Sequence, residues 1–359
     1  MIDQGAAIPA LCTLDTMMST EPNPVTAGAT TSAEFRGLIF NIMRFCLHDG
    51  PGTRTTVFFK GCPLCCWWCH NPEGRSAKPE LMFFENRCVL CGECLKACPH
   101  GAIVQEDGVM RTTKACRACG TCVDACAAGA RELAGQWMTA AEVLDEIEKD
   151  RLFWDESGGG VTFSGGEPFL QPNFLESLLD ACRARHIHTA VETCGYAKRD
   201  MLLRLGGKVD LFLFDLKLLD SEKHRAHTGR SNESILANLS ALAQAGRDVI
   251  VRYPVIPEVN GDEENVKEMV ALLQSLGIGR IHLLPFHRAG AAKYGRLPAA
   301  ALSPPPRLAN APAERGRGIE SESSLTSPVE PAEPGEPVEL IEHIAQEFKA
   351  HGFEVRIGG

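Results

Sequence analysis

The sequence predicts a partial, open α/β barrel of six parallel βα units, interrupted by a cysteine-rich insertion. Three observations lead there. Six short apolar runs recur along the chain, at residues 57–59, 161–163, 189–192, 211–215, 249–253 and 281–285. They are continuous rather than alternating, the pattern of strands buried on both faces. Helical stripes fall between them: Ala140, Val143, Leu144 and Ile147; Leu175, Leu178, Leu179 and Cys182; Ile235, Leu239 and Leu242. Strands alternating with helices give parallel units with right-handed crossovers. Six such units are too few to close an eightfold barrel. The third observation is the break itself, residues 86–131, dense in cysteine and poor in apolar residues.

Taken in order, residues 1–34 are small, polar and aperiodic, and are expected to be a disordered extension. The barrel then occupies 35–85 and 132–297, with 86–131 as a separate module. Nine prolines among 298–337 exclude regular structure and predict a flexible segment. A stripe of Ile341, Ile344, Ala345 and Phe348, then a strand near 355–357, closes the chain.

Hydrophobic residues make up 44% and charged residues 23%, the balance of a globular protein. A net charge of −10 opposes non-specific binding to nucleic acid or anionic membranes. No run of about 18 apolar residues occurs, so no membrane span is expected. The N-terminus has no basic stretch followed by an apolar one, so no export signal is read. Sixteen cysteines, mostly in three tight runs, have ligand spacing rather than disulfide spacing. The expected compartment is a reducing cytoplasm.

The first run, Cys62, Cys66 and Cys69, puts three thiolates on the loop after the first strand. A four-iron–four-sulfur cluster needs four ligands, so three leave one iron open for a chelating substrate. The alternative is a zinc site completed by His70. Cys65 competes with Cys66 as a ligand, and the spacing selects Cys66. The second and third runs are Cys88, Cys91, Cys94, Cys98 and Cys116, Cys119, Cys122, Cys126. Each has the C-x2-C-x2-C-x3-C spacing of two-cluster ferredoxins, in which the fourth cysteine of each run serves the other cluster. One cluster would take Cys88, Cys91, Cys94 and Cys126, the other Cys116, Cys119, Cys122 and Cys98. A zinc ribbon would not need eight cysteines.

Polar residues gather where the predicted strands end, the edge that builds sites in βα barrels. Gly165 and Gly166 permit close backbone approach there, and Glu167 can accept from a cationic amine. Glu192, Asp215, Lys217, Arg252 and His287 follow at the later strand ends.

With these motifs in place, the chain resembles the glycyl-radical-enzyme activating enzymes of the radical S-adenosylmethionine (SAM) superfamily. The likeness rests on 48–52 (His-Asp-Gly-Pro-Gly), 61–73, 165–168, 215–217, 284–287, Lys293-Tyr294 and the C-terminal 355–359. It implies three 4Fe-4S clusters and SAM as cofactors. It further implies that Trp68 lies against the adenine and that Glu167 and Lys217 hold the methionine end, with Glu192 and His287 nearby. Asp49 would meet the glycine loop of a partner glycyl radical enzyme, and a flavodoxin or ferredoxin would donate electrons. A monovalent cation near Glu192, Thr193 and Asp215 is also implied. Departures are Thr53, Cys65 and the proline-rich stretch. The rivals are a radical SAM enzyme acting on a small molecule or peptide, and a ferredoxin-type electron carrier.

Overall fold

The computed structural model describes residues 35–287, 290–298 and 336–358. The regions 1–34 and, but for their outermost residues, 298–337 lie outside them. All six predicted strands form and lie side by side: β2 (Arg54–Phe59), β8 (Gly160–Gly165), β9 (Thr189–Thr193), β10 (Leu211–Asp215), β11 (Val249–Val255) and β12 (Arg280–Pro285). Each neighbouring pair in that order is parallel. The continuous apolar runs are buried on both faces, as in β2, where all six residues are inaccessible. A seventh parallel strand, β13 (Glu354–Ile357), joins β12 and ends the sheet on that side.

The opposite edge was not read from the sequence. Strand β1 (Arg36–Cys46) pairs antiparallel with β2, and β7 (Gln136–Thr139) pairs antiparallel with β1. The result is an open nine-stranded sheet with β7 and β13 at its ends.

Helices Ala140–Glu148, Pro172–Ala184, Glu233–Gln244 and Glu263–Ser275 bury their apolar stripes against one another and the sheet. Helix Ala140–Glu148 starts in a capping box. The Thr139 hydroxyl accepts from Glu142 N–H, and the Glu142 carboxylate accepts from Thr139 N–H. Cys182 is core, fully buried among these stripes. Helix Glu336–Ala350 returns to the sheet beside β13, burying Ile341, Ile344, Ala345 and Phe348. Among the described residues no helix is long and apolar enough to cross a membrane.

Residues 86–131 hold a small unit of two short helices, Glu93–Ala97 and Thr121–Asp124, and the hairpin β4 (Ile103–Glu106) and β5 (Val109–Thr112). It joins the barrel through the antiparallel pair β3 (Glu80–Phe83) and β6 (Arg131–Ala134). That pair has two working faces. Leu81 and Phe83 face a cluster with Met110, Ile103 and the cysteines of the unit. Met82, Phe84 and Ala134 face Tyr294 and Leu297. The period-two alternation of a strand therefore ties two cores together through one ribbon.

The glycines after β8 pack against the end of β2. Gly165 has φ of +109°, and a Cβ at Gly166 would stand 2.0 Å from the Gly61 carbonyl oxygen and 2.6 Å from that of Gly74. Backbone atoms cannot yield there as a flexible side chain could. Gly166→Ala should therefore cost about 3 kcal/mol, lowering the anaerobic melting midpoint by about 5 °C for a chain of this size. An unshifted midpoint would show that the two strand ends are not packed this closely.

Candidate active site

The loop after β2 carries Cys62, Cys66 and Cys69, and the protein grips it from several sides. Gly61 N–H donates to Gly74 O (2.7 Å), and Cys62 N–H to Arg75 O (3.0 Å). Cys65 N–H donates to Thr228 O (2.7 Å), which fixes the backbone of this residue against helix Ser221–Thr228. From the far side, the Tyr294 hydroxyl donates to the carbonyls of Trp67 (3.3 Å) and Cys69 (3.2 Å). Next to it, Lys293 Nζ donates to Glu73 Oε1 (2.7 Å) and Asn71 Oδ1 (3.0 Å). The Lys293-Tyr294 pair is thus a clamp on the cysteine loop.

The three cysteines share one buried cluster with Leu64, Trp68, Cys194, Leu218, Ile256 and Val259. Burial pushes the Cys66 thiol up to about 12 and the Cys69 thiol to about 11, each raised further by its neighbouring cysteines. Cys62 is held below its usual range, chiefly by a hydrogen bond from Cys194. Three soft sulfur donors meeting on one loop in an apolar setting suit iron–sulfur ligation. Trp68 is buried in this cluster, edge-on to Trp67 with centroids 5.3 Å apart.

Glu167 is fully buried directly beside the cysteines. Its carboxylate accepts from Thr193 Oγ1 (2.9 Å to both oxygens), Phe169 N–H (3.2 Å), Cys194 N–H (2.9 Å) and the Cys194 thiol (3.0 Å). Burial nevertheless raises its pKa above the ordinary carboxylate value. Lys217 is 8% exposed, and its Nζ lies 2.9 Å from Asp215 Oδ2. Burial opposes its charge, but the Asp215 carboxylate and the Cys66 and Cys194 sulfurs outweigh this and raise its pKa. A buried anion after β8 and a buried cation after β10, with β9 between them, therefore flank the cysteine loop.

A second charged group lies deeper along the sheet. Arg252 Nη1 stands 3.0 Å from Glu192 Oε2 and 4.0 Å from Asp49 Oδ1, and its Nε stands 3.8 Å from Asp215 Oδ1. Buried Asp215 Oδ1, Arg252 Nε and Arg252 Nη1 make no well-aligned hydrogen bond with one another. Burial, with Asp215 and Asp49 nearby, raises Glu192 to about 6 even though Arg252 opposes the shift, and Ser164 Oγ donates to it at 2.7 Å. Asp49 belongs to this group: its Oδ2 accepts from Thr56 Oγ1 (2.7 Å) and its carbonyl from Thr162 Oγ1 (2.7 Å). Fully buried Arg54 steadies the same turn, donating to Thr162 Oγ1 (2.6 Å) and Pro51 O (3.1 Å).

His287 is exposed and stacks on His70 of the cysteine loop, with ring centroids 4.0 Å apart. Burial lowers His70 to about 4, with His287 adding to the effect. Cys62, Cys66, Cys69, Glu167, Lys217 and His287 thus follow the ends of β2, β8, β10 and β12. Glu192 and Arg252 lie within β9 and β11, and Asp49 lies on the turn leading into β2, level with Thr56. Three contributors went unread as such: Cys194, Thr193 as a donor to Glu167, and the Tyr294 clamp. Cys194 stands two residues after Glu192, at the end of β9, which is the one signal that could have found it.

In the inserted unit, Cys88, Cys91, Cys94 and Cys126 line one cavity, together with Phe83, Met110 and Arg131. Cys98, Cys116, Cys119 and Cys122 line another, beside Leu81 and Ile103. The fourth cysteine of each run crosses to the other's cavity.

Comparison with known proteins now becomes informative. Residues 56–273 match the model of the radical SAM superfamily. The chain is 45% identical over 269 residues to the trans-4-hydroxy-L-proline dehydratase activating enzyme of Clostridioides difficile, covering 72% of this chain and 87% of that one. It is 44% identical over 272 residues to the choline trimethylamine-lyase activating enzyme of Oleidesulfovibrio alaskensis, covering 74% and 88%. With the benzylsuccinate synthase activating enzyme of Thauera aromatica it shares 40% identity over 331 residues, 90% of this chain and 92% of that one. A solved domain of a pyruvate-formate lyase-activating enzyme from Bacteroides vulgatus aligns with a TM-score of 0.41 at 30% identity, over 56% of this chain and all of that domain. The chain belongs to the radical SAM superfamily and, within it, to the activating enzymes of glycyl radical enzymes.

Proposed function

We propose that this protein installs a radical on a backbone glycine of a partner glycyl radical enzyme, using SAM and three 4Fe-4S clusters. The observation that carries the reading is one constellation: Cys62, Cys66 and Cys69 on a clamped loop, flanked by buried Glu167 and buried Lys217. The three cysteines hold the first cluster and leave one iron free. Glu167 offers an anion to the amino group of SAM, Lys217 a cation to its carboxylate, and Trp68 an apolar face to its adenine. Gly165 and Gly166 let the end of β8 pack directly on the backbone of Phe59 and Gly61, which sets Glu167 beside the cysteine loop. When bound, the clusters carry single electrons, and SAM, reductively cleaved at a carbon–sulfur bond, supplies methionine and a 5′-deoxyadenosyl radical that takes hydrogen from the glycine Cα.

In the same reading Arg252 holds Glu192, Asp215 and Asp49 together, His287 covers the loop by stacking on His70, and Asp49 faces the incoming glycine segment. In this reading a monovalent cation would sit near Glu192, Thr193 and Asp215, beside positive charge already present. Arg252 already supplies positive charge to that pair of carboxylates, and Thr193 is turned to Glu167. The two other clusters are assigned to Cys88, Cys91, Cys94 and Cys126, and to Cys98, Cys116, Cys119 and Cys122, each set being gathered on one cavity. Phe83 borders the first of these cavities, and its neighbour Phe84 packs with Tyr294, whose hydroxyl reaches Cys69. A flavodoxin or ferredoxin is the proposed donor.

For the partner, the Thauera aromatica relative is informative. A match ending before residue 299 cannot cover 90% of the chain, so this likeness continues past the barrel, whereas the other two relatives cover 72–74%. We take this to favour a partner of the benzylsuccinate synthase kind over a dehydratase or an amine lyase.

The test is anaerobic incubation of the reduced, iron-loaded protein with SAM, alone and with candidate partners. The expected result is 5′-deoxyadenosine without a partner and a glycine-centred radical, by electron paramagnetic resonance, with benzylsuccinate synthase. Nucleoside without radical for every glycyl radical enzyme tried would favour a small-molecule or peptide substrate. No nucleoside at all would leave only electron transfer.

A further inference from the structure

The inserted unit repeats itself beyond its cysteines. Gly101-Ala102-Ile103 comes after Cys98, and Gly129-Ala130-Arg131 comes after Cys126 at the same spacing. The backbones match as well. Gly101 and Gly129 have φ of +57° and +61°. Ala102 N–H donates to Cys98 Sγ (3.3 Å) and Ala130 N–H to Cys126 Sγ (3.2 Å). Ile103 and Arg131 then open β4 and β6, and both are buried. Ile103 lines the cavity of Cys98, Cys116, Cys119 and Cys122, and Arg131 lines that of Cys88, Cys91, Cys94 and Cys126. One position of the repeat is therefore apolar in one cavity and cationic in the other.

Arg131 is 1% exposed. Its Nη1 donates to Thr112 Oγ1 (2.9 Å), and its guanidinium lies over the Phe83 ring, 4.8 Å from the centroid. Its Nε and Nη2 are buried and have no acceptor among the described residues. The adjacent carboxylate, Glu132, points to the other face of the strand and is taken by Arg87. A buried guanidinium without a counter-charge is strongly disfavoured. A 4Fe-4S cluster held by four thiolates is anionic, and its sulfurs accept N–H donors. It would meet both needs of Arg131 at once. The other cavity has His100 and Arg117 on its lining, but both are exposed, where solvent and salt screen their charge.

We propose that Arg131 donates to the cluster held by Cys88, Cys91, Cys94 and Cys126 and sets its reduction potential above that of the other inserted cluster. A buried cation and N–H donors beside a cluster stabilise the extra negative charge of its reduced form, so the potential rises. Ile103, in the matching place, gives the second cluster no such help. One electron accepted from the external low-potential donor therefore settles on the Cys88 set. It changes only the charge of the cluster: Arg131 keeps its protons and no bond is broken. The inserted pair is then a directed step, from the Cys116 set to the Cys88 set, and not two equivalent stores. The inference rests on the reading that these eight cysteines hold two clusters.

The test is an anaerobic redox titration of the full, iron-loaded chain, followed by electron paramagnetic resonance. The first cluster is recognised by its response to SAM, and the two that do not respond are the inserted pair. In the natural protein these two should titrate apart. At one potential their ratios of reduced to oxidised form should differ by about tenfold or more, which is about 59 mV for a one-electron couple. In Arg131→Met the ratio for the higher-potential cluster should fall by about tenfold, and that for the other by less. Arg131→Lys keeps the charge and should hold the higher cluster within about threefold of the natural protein. Should the Met variant not load the inserted clusters, Arg131→Gln carries the same comparison. Two inserted clusters that titrate together in the natural protein overturn the proposal. So does an unmoved higher cluster in the neutral variant, or a Lys variant that falls as far as it does. If the natural protein holds about four irons rather than about twelve, the reading of two inserted clusters falls, and this inference with it.

Discussion

Replacing Cys62, Cys66 and Cys69 together by Ala should lower the iron content of anaerobically reconstituted protein from about twelve to about eight atoms per chain. SAM cleavage should fall below detection. The expectation follows from the separation of the two cysteine groups. The first three cysteines pack with Trp68, Leu64 and Leu218, while the remaining eight line two cavities of the inserted unit beyond β3 and β6. Removing one group leaves the other's surroundings untouched, so the loss should be of four irons rather than all. Iron analysis and 5′-deoxyadenosine quantification check both halves. Retained cleavage would show that the open-iron site is elsewhere. Loss of all iron would show that the inserted unit depends on the first loop to fold.

What could be read from the chain depended on whether the signal was local. The three cysteine runs are contiguous motifs, and the six parallel strands are continuous apolar runs, so both were visible without tertiary information. Strand β1 was not, because it does not look like the others. Its burial runs from exposed Arg36 through buried Leu38 and Ile39 to a largely exposed second half, with register shifts against β2. An irregular antiparallel strand next to the sheet edge has neither a clean alternation nor a continuous core, and its partner is specified only by the fold.

The site divides the same way. Glu167 and Lys217 could be named from strand-end position, but not their burial. A lysine two residues after a strand is more often on the surface, and what keeps Lys217 charged inside the protein is Asp215, 2.9 Å away. Tyr294 lies far along the chain from the loop it clamps and is brought to Cys69 only by the return of residues 290–298. Cys194 remained unassigned because a cysteine without a partner in its own sequence neighbourhood carries no spacing. Contacts made by one residue across the fold leave no period and no motif.

Asp49→Asn should leave partner-free SAM cleavage within about twofold of the natural protein while lowering the glycyl-radical yield about tenfold or more. The structure sharpens this test, because it shows what Asp49 does for its own turn. Oδ2 accepts from Thr56, the backbone carbonyl accepts from Thr162, and Arg54 braces the segment through Thr162 and Pro51. An asparagine keeps an oxygen for Thr56 and leaves the backbone bonds alone, so the turn should survive. What disappears is the negative charge 4.0 Å from Arg252, on the edge where the partner's glycine segment is proposed to enter. Hydrogen abstraction is sensitive to placement, and a shift near 1 Å in the reacting segment can cost about two orders of magnitude in rate. The readouts are the glycine-centred radical by electron paramagnetic resonance and 5′-deoxyadenosine formed without partner. Equal loss of both would mean that Asp49 serves the turn and the Arg252 network alone. An unchanged radical yield would remove it from the partner site, and leave Arg252 with Glu192 and Asp215 as the charged group nearest the incoming chain.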